Sequence, residues 1–198
     1  MPNSDFTKVI INTSSEKDPG TGYFYDVSKG KIEFIASYAP WLQDYDLGST
    51  YPFEFTARDG VELMGYLTLP PGYKKGDKIP FILHPHGGPN AKDRFGFNPE
   101  VQIYATRGYG VLQINYRGSV GFGLKEMKLA NKQWSLAMHD DLLDGLFWAN
   151  DQGYVNMDKV CISGASYGGY SAMVGITKNP DIFKLSLIHI SEPTRRTT

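Results

Sequence analysis

Gly164-Ala165-Ser166-Tyr167-Gly168, with Gly169 directly behind it, is the stretch whose residue types and spacing could do chemistry. Lys159-Val160-Cys161-Ile162 before it is a short β-type run, and Tyr170-Ser171-Ala172-Met173-Val174-Gly175-Ile176 after it reads as a buried helix. A strand that turns abruptly into a helix holds its pivot residue in a strained conformation, and small neighbours two positions to either side keep such a turn free of clashes. A serine at the pivot is presented as a nucleophile. It also stands close to the free N–H groups of a helix N-terminus, which favour a developing negative charge. The plainer reading is a glycine-rich turn that happens to contain serine, and it gives no reason for the strand before and the helix after.

A serine that transfers acyl groups needs hydrogen-bond donors aimed where the tetrahedral oxyanion forms. In α/β-hydrolases one of these is the backbone N–H after the nucleophile, here Tyr167. The other comes from a loop after an earlier strand, and His86-Gly87-Gly88-Pro89 directly follows the apolar run Ile79-Pro80-Phe81-Ile82-Leu83-His84. Glycines there let backbone approach substrate closely. His86 precedes Ser166, whereas the base histidine of this fold comes last in the chain, so its expected work is shaping the loop. His84 reads as a satisfied core histidine.

These groups need a scaffold, and from residue 79 the rhythm is strand then helix, repeated. Residues 79–84, 110–115 and 159–163 read as strands, and residues 97–106, 124–133, 139–150 and 168–178 as helices. Such alternation means a mostly parallel sheet with helices on both faces, an α/β class. In the helix of residues 139–150, Leu142, Leu143, Leu146 and Phe147 form one apolar stripe. Asp140 and Asp141 at its start read as caps rather than, with His139, as metal ligands. An Asp59-Gly60 turn joins Pro52–Thr56 to Val61–Leu69 in a hairpin. Residues 1–46 are purely β: runs at residues 22–27 and 31–35 meet at Ser28-Lys29-Gly30. A lone hairpin is not stable in water, and its natural home is the last blade of a propeller. The domain boundary falls near residues 44–50.

Composition narrows the classes. Hydrophobic residues make up 41% and charged residues 21%, as in soluble globular proteins. A net charge of −1 and the lack of a basic stripe give no footprint for nucleic acid or anionic membrane. Cys161, the single cysteine, reads as a small buried hydrophobe that can form no internal disulfide. The sequence calls for no metal and no cofactor. No run has the length of a membrane span, and Met1-Pro2-Asn3-Ser4-Asp5 does not begin a signal peptide. The compartment and the oligomeric state stay open.

With both motifs placed, the chain resembles the prolyl oligopeptidase family of serine peptidases, nearest its acylaminoacyl-peptidase and dipeptidyl-peptidase branches. The matching stretches are His86-Gly87-Gly88-Pro89, Asn115-Tyr116-Arg117-Gly118-Ser119 with Gly121-Phe122-Gly123, Trp134 through His139-Asp140-Asp141-Leu142, and Gly164 through Tyr170. The resemblance implies an incomplete α/β-hydrolase fold over residues 47–184, preceded by the remnant of a propeller blade over residues 1–46. It implies Ser166 as nucleophile, Tyr167 and Gly88 as oxyanion-hole donors, and Gly164, Gly168 and Gly169 as the glycines of the elbow. Some relatives carry at position 86 a tyrosine whose hydroxyl serves the oxyanion; the histidine here favours the backbone donor of Gly88. It gives Arg117 no role.

In that family the aspartate and histidine of the triad follow the serine. Beyond Ser166 this chain offers Asp181, His189 and Glu192, and none is expected to complete a triad. Residues 185–198 read as a non-native tail, because Leu185 to Arg195 matches the translation of a transposase adapter used in sequencing libraries. The alternative is that Phe183 to Ile190 is the next strand, whose alternation it has. The expected function is a serine peptidase acting on short peptides through an acyl-enzyme, with the chain itself an inactive, truncated piece. A carboxylesterase or lipase on the same fold, or a non-catalytic fragment, are the alternatives.

Overall fold

The computed structural model describes residue 2 and residues 4–189. Its N-terminal part is a three-stranded antiparallel sheet of β1 (Lys8–Thr13), β2 (Thr21–Asp26) and β3 (Lys31–Ser37), in that order. The Asp26 carboxylate accepts from the Ser28 and Lys29 N–H groups and so closes the β2–β3 turn. The sequence reading has a lone hairpin here, and the structure adds β1. Only Val9 and Ile11 of β1 are even half-buried, so the strand is a short run with little apolar contrast to reveal it. Ile10, Val27, Ile32, Phe34, Ile35 and Tyr38 of this small sheet are exposed. A 3-10 turn at Pro40–Asp44 leads onward. The linker is fastened at Gly48, whose N–H donates to the buried Gln102 side chain at 2.8 Å. The amide of Gln102 donates in turn to the carbonyls of Gly48 and Glu16.

Among the described residues the larger sheet has six strands: β4 (Ser49–Thr56), β5 (Glu62–Leu69), β6 (Ile79–Leu83), β7 (Gly110–Asn115), β8 (Val155–Ala165) and β9 (Phe183–His189). Their order is β4-β5-β7-β6-β8-β9. The first two pairings are antiparallel, through the Asp59-Gly60 hairpin and β5–β7, and the remaining ones are parallel. Four helices among the described residues accompany it: α1 (Pro99–Ala105), α2 (Leu124–Lys128), α3 (Ala137–Asp151) and α4 (Tyr167–Lys178). Alternation along β8 separates two of them. Ile162 packs towards Gly175 of α4, while its neighbour Ser163 bonds Tyr104 of α1 at 3.0 Å, so α1 and α4 cover opposite faces. The main core lies under α3, where Met138, Leu142 and Leu146 meet Leu112, Ile114 and Phe55 with almost no exposure. Gly145 lets α3 close on the sheet, because a Cβ there would clash with Ile114.

Three expectations change. The helix predicted over residues 124–133 ends at Lys128, and the positive φ of Lys132 and Ser135 shows the chain turning instead. Asp140 and Asp141 do not cap α3: the helix begins at Ala137, and both carboxylates reach arginines on other elements. Residues 185–189, assigned above to a foreign tail, form most of β9. Cys161 to Ala165 of β8 pair in parallel register with Leu185 to His189, so the nucleophile strand lies between β6 and β9 rather than at the sheet edge. A strand edge offers a full row of unpaired N–H and C=O groups, and the alternating segment supplies the partners. Residues 190–198, the remainder of that segment, lie outside the described residues.

Candidate active site

Ser166 sits where β8 gives way to α4. It is exposed, with φ +56° and ψ −119°, a conformation that costs a non-glycine residue roughly 1–3 kcal/mol and persists only where its surroundings impose it. Those surroundings are glycines without room for a side chain. A Cβ on Gly164 would stand 2.6 Å from the carbonyl carbon of Gly168, and one on Gly168 would overlap the carbonyl oxygen of Pro85. At Gly169 a Cβ would lie 3.2–3.3 Å from Ile188 and from the carbonyls of Gly164 and His189. The Ser166 N–H donates to the His189 carbonyl at 3.1 Å, and the Ser166 carbonyl accepts from Tyr170 N–H at 3.0 Å, which opens α4.

The loop after β6 comes to the same place. Gly87 is the closer of its two glycines: a Cβ there would lie 3.1 Å from the Ala165 carbonyl and 3.9 Å from Ser166 Oγ. The sequence points to Gly88 for the oxyanion, and the doubled glycine is the local signal for Gly87. Gly88 has φ +127° and turns the loop away towards Ala91. Among the described residues, neither the Gly88 N–H nor the Tyr167 N–H makes a hydrogen bond. Two free donors therefore belong to the backbone around Ser166.

His86 is built into this loop. Its Nδ1 is 2.8 Å from the Gly87 carbonyl and its Nε2 3.0 Å from Ser119 Oγ, and its ring stacks on Tyr116 at 4.4 Å. Tyr116, fully buried, donates its hydroxyl to the His86 carbonyl at 2.8 Å. Burial pushes the His86 imidazole below the usual histidine range, so the ring is neutral near pH 7. Burial likewise raises Tyr116 and pushes Tyr167 up to about 12, keeping both phenols protonated. Tyr167 is tucked under an aromatic group, 4.8 Å from Trp134, 5.4 Å from Tyr116 and 5.6 Å from Tyr170 between ring centres.

Arg117, for which sequence supplied no role, is a buried strut. Its guanidinium donates to Asp141 at 2.7–2.8 Å and to Asp59 at 2.7–2.9 Å, and its backbone N–H also reaches Asp141. Hydrogen bonds to Asp141 raise Arg117 further, and burial pushes Asp141 up while the guanidinium pulls against it. The strut joins the loop after β7 to the β4–β5 turn and to α3. These partners lie 24 and 58 positions away, beyond any local spacing rule.

The other histidines and late carboxylates stand elsewhere. His84 is buried under α1, its Nε2 3.8 Å from Glu100 and its Nδ1 without a partner, which corrects the satisfied core histidine read from sequence. His139 bonds Asn179 at 2.8 Å. Asp181 lies in the turn between α4 and β9, next to the Phe183–Val160 pairing midway along β8, six residues before Ser166. His189 ends β9 opposite Ala165, and Glu192 is outside the described residues. Among the described residues nothing hydrogen-bonds to Ser166 Oγ, and no group of three or more His, Cys, Asp or Glu is placed to hold a metal ion. Nor is any helix among them long and apolar enough to cross a membrane.

Comparison with known proteins decides the family. The profile of the prolyl oligopeptidase family matches residues 95–191, which include the elbow and β9. The chain belongs to this family. Dipeptidyl aminopeptidase BIII of Pseudoxanthomonas mexicana is 40% identical over 180 residues, which cover 88% of this chain and 26% of that protein. Dipeptidyl peptidase family member 6 of Caenorhabditis elegans is 35% identical over 199 residues, 90% of this chain and 27% of its own length. The structure superimposes on the Pyrococcus horikoshii acylaminoacyl peptidase with a TM-score of 0.74 at 26% identity, covering 89% of this chain and 28% of the other. The prolyl oligopeptidase member described here thus has the α/β-hydrolase fold, and it spans about a quarter of the length of these curated relatives.

Proposed function

We propose that this chain carries the nucleophile and oxyanion-stabilising half of a serine peptidase that hydrolyses short peptides through an acyl-enzyme. The observation that carries the reading is Ser166 itself: exposed at φ +56° between strand and helix, with Gly87 so near that a Cβ there would stand 3.9 Å from its hydroxyl. In the first step Oγ forms a bond to the peptide carbonyl carbon, its proton passes to a base, and the carbonyl π pair moves onto oxygen. The Tyr167 and Gly88 N–H groups, both free of other acceptors, receive that oxyanion. Collapse expels the amine with the proton, and water then releases the acid by the reverse sequence. Peptides are favoured over simple esters because the relatives are named as dipeptidyl peptidases.

The base and its carboxylate partner are not on Ser166 among the described residues, so the 198-residue chain alone is expected to leave peptide p-nitroanilides unhydrolysed. The blade reading of residues 1–46, as a neighbour of the catalytic unit, rests on the exposed apolar residues of β1–β3. The test uses the full polypeptide encoded by the gene. A fluorophosphonate should label it at Ser166, and Ser166→Ala should abolish labelling and peptide hydrolysis together. Labelling that persists in the alanine variant overturns the assignment.

A further inference from the structure

We propose that His86 is a positioning residue for the reaction, held by Ser119 and Tyr116 so that its ring sets the plane of the Gly87–Gly88 peptide. This deepens the serine-hydrolase reading and rests on it. The Gly87 carbonyl, 2.8 Å from His86 Nδ1, belongs to the same peptide unit as the Gly88 N–H. That unit is planar and trans, so the oxygen and the hydrogen point in opposite directions. Fixing one fixes the other, and the Gly88 N–H is the donor offered to the oxyanion.

The protons are arranged to make the hold specific. A carbonyl can only accept, so Nδ1 carries the proton of the neutral ring and donates to Gly87. Nε2 is then left as an acceptor, 3.0 Å from Ser119 Oγ. Ser119 is nearly fully buried, and its hydroxyl donates to the Tyr116 carbonyl at 2.7 Å, so its one proton is shared between that carbonyl and Nε2 and the side chain is held between the two. Tyr116 completes the clamp from below, through the 4.4 Å stack and the bond from its hydroxyl to the His86 carbonyl. The ring is thereby fixed at both nitrogens and on one face. Arg117, next in sequence to Tyr116, ties that loop to Asp141 and Asp59, so the clamp stands on a buried ion pair rather than on a free loop.

The test measures fluorophosphonate labelling of the full polypeptide over a range of probe concentrations, separating the maximal rate kinact from the half-saturating concentration KI. This needs no knowledge of the preferred substrate. His86→Leu should lower kinact by about a hundredfold, the loss seen when one oxyanion donor is removed, with KI changed by less than about threefold. Ser119→Ala, which frees Nε2 and leaves Nδ1 bonded, should lose about tenfold in kinact. His86→Asn, whose amide nitrogen overlies Nδ1, should recover more of kinact than His86→Gln, whose amide reaches the Nε2 position. The Asn and Gln comparison decides the matter where the leucine variant does not fold. Equal kinact in Asn and Gln variants, or a wild-type kinact in Ser119→Ala, overturns the proposal. An unlabelled wild type overturns the serine-hydrolase reading, and the proposal with it.

Discussion

Gly168 and Pro85 are in direct backbone contact: a Cβ at Gly168 would overlap the carbonyl oxygen of Pro85. The second glycine of the elbow is therefore required by the loop after β6 as well as by the turn that contains it. This contact brings the candidate nucleophile and the candidate oxyanion loop to a common distance. Gly168→Ala should push the loop off the elbow and destabilise the fold by about 2–3 kcal/mol, the upper part of the range for overpacking. Gly169→Ala meets atoms at 3.2–3.3 Å and should cost clearly less. Urea denaturation of the two variants checks the order, and equal midpoints would remove the Pro85 contact from the explanation.

Gly87→Ala tests approach to the nucleophile with little change in the fold. Its new methyl would stand 3.4 Å from Ser166 Cβ and 3.9 Å from Oγ, in the space where an acyl group must enter. Fluorophosphonate labelling should slow by about tenfold or more, since small displacements of reacting groups carry penalties of that size. Stability should fall by about 1 kcal/mol or less, because one tight neighbour, the Ala165 carbonyl at 3.1 Å, must shift. Undiminished labelling would show that substrate does not pass Gly87.

What the sequence revealed and what it hid divide by range. β7 falls at the predicted residues 110–115, and α3 differs from prediction by two residues at its start and one at its end. Both carry strong apolar patterns in a single local window. The strained pivot at Ser166 was readable for the same reason, as the clash that demands glycine lies two to four residues away. The roles of Asp141, Asp59 and Ser119 were not readable. Asp141 reads as a cap because cap statistics are local, whereas its partner Arg117 stands 24 residues earlier in the chain, on the loop after β7. β1 escaped notice because its pairing with β2 is set by register and not by contrast in hydrophobicity.

The Arg117 network makes an asymmetric prediction. The Asp141 side chain is fully buried, while that of Asp59 is 45% exposed, although both bond the same guanidinium at similar distances. Asp141→Asn leaves a buried cation half-compensated and should cost about 3–5 kcal/mol. Asp59→Asn acts on a water-screened partner and should cost about 1 kcal/mol or less. Urea midpoints at constant slope measure both, and equal losses would mean that burial does not set the strength of these bonds.

Asp93 gives the pH dependence its sign. It lies in the loop that continues from Gly88, where its N–H donates to Asn115 and its Oδ1 accepts from Gln113, while the buried Oδ2 has no partner. Burial pushes this carboxyl up from 3.8 to about 7. The folded chain then binds the proton more tightly than the unfolded chain does. Its contribution to stability is complete below the unfolded value of 3.8 and is lost as pH rises through about 7. Asn, a neutral isostere of the protonated acid, keeps the acceptor facing Gln113 and does not ionise. Asp93→Asn should therefore match the wild type within experimental error near pH 4 and exceed it near pH 8 by a margin on the order of 2 kcal/mol. Urea denaturation across that window reads the difference directly. A gap between the two proteins that stays constant with pH would show that Asp93 does not titrate in the folded chain between 4 and 8, and that its orphaned oxygen is compensated some other way.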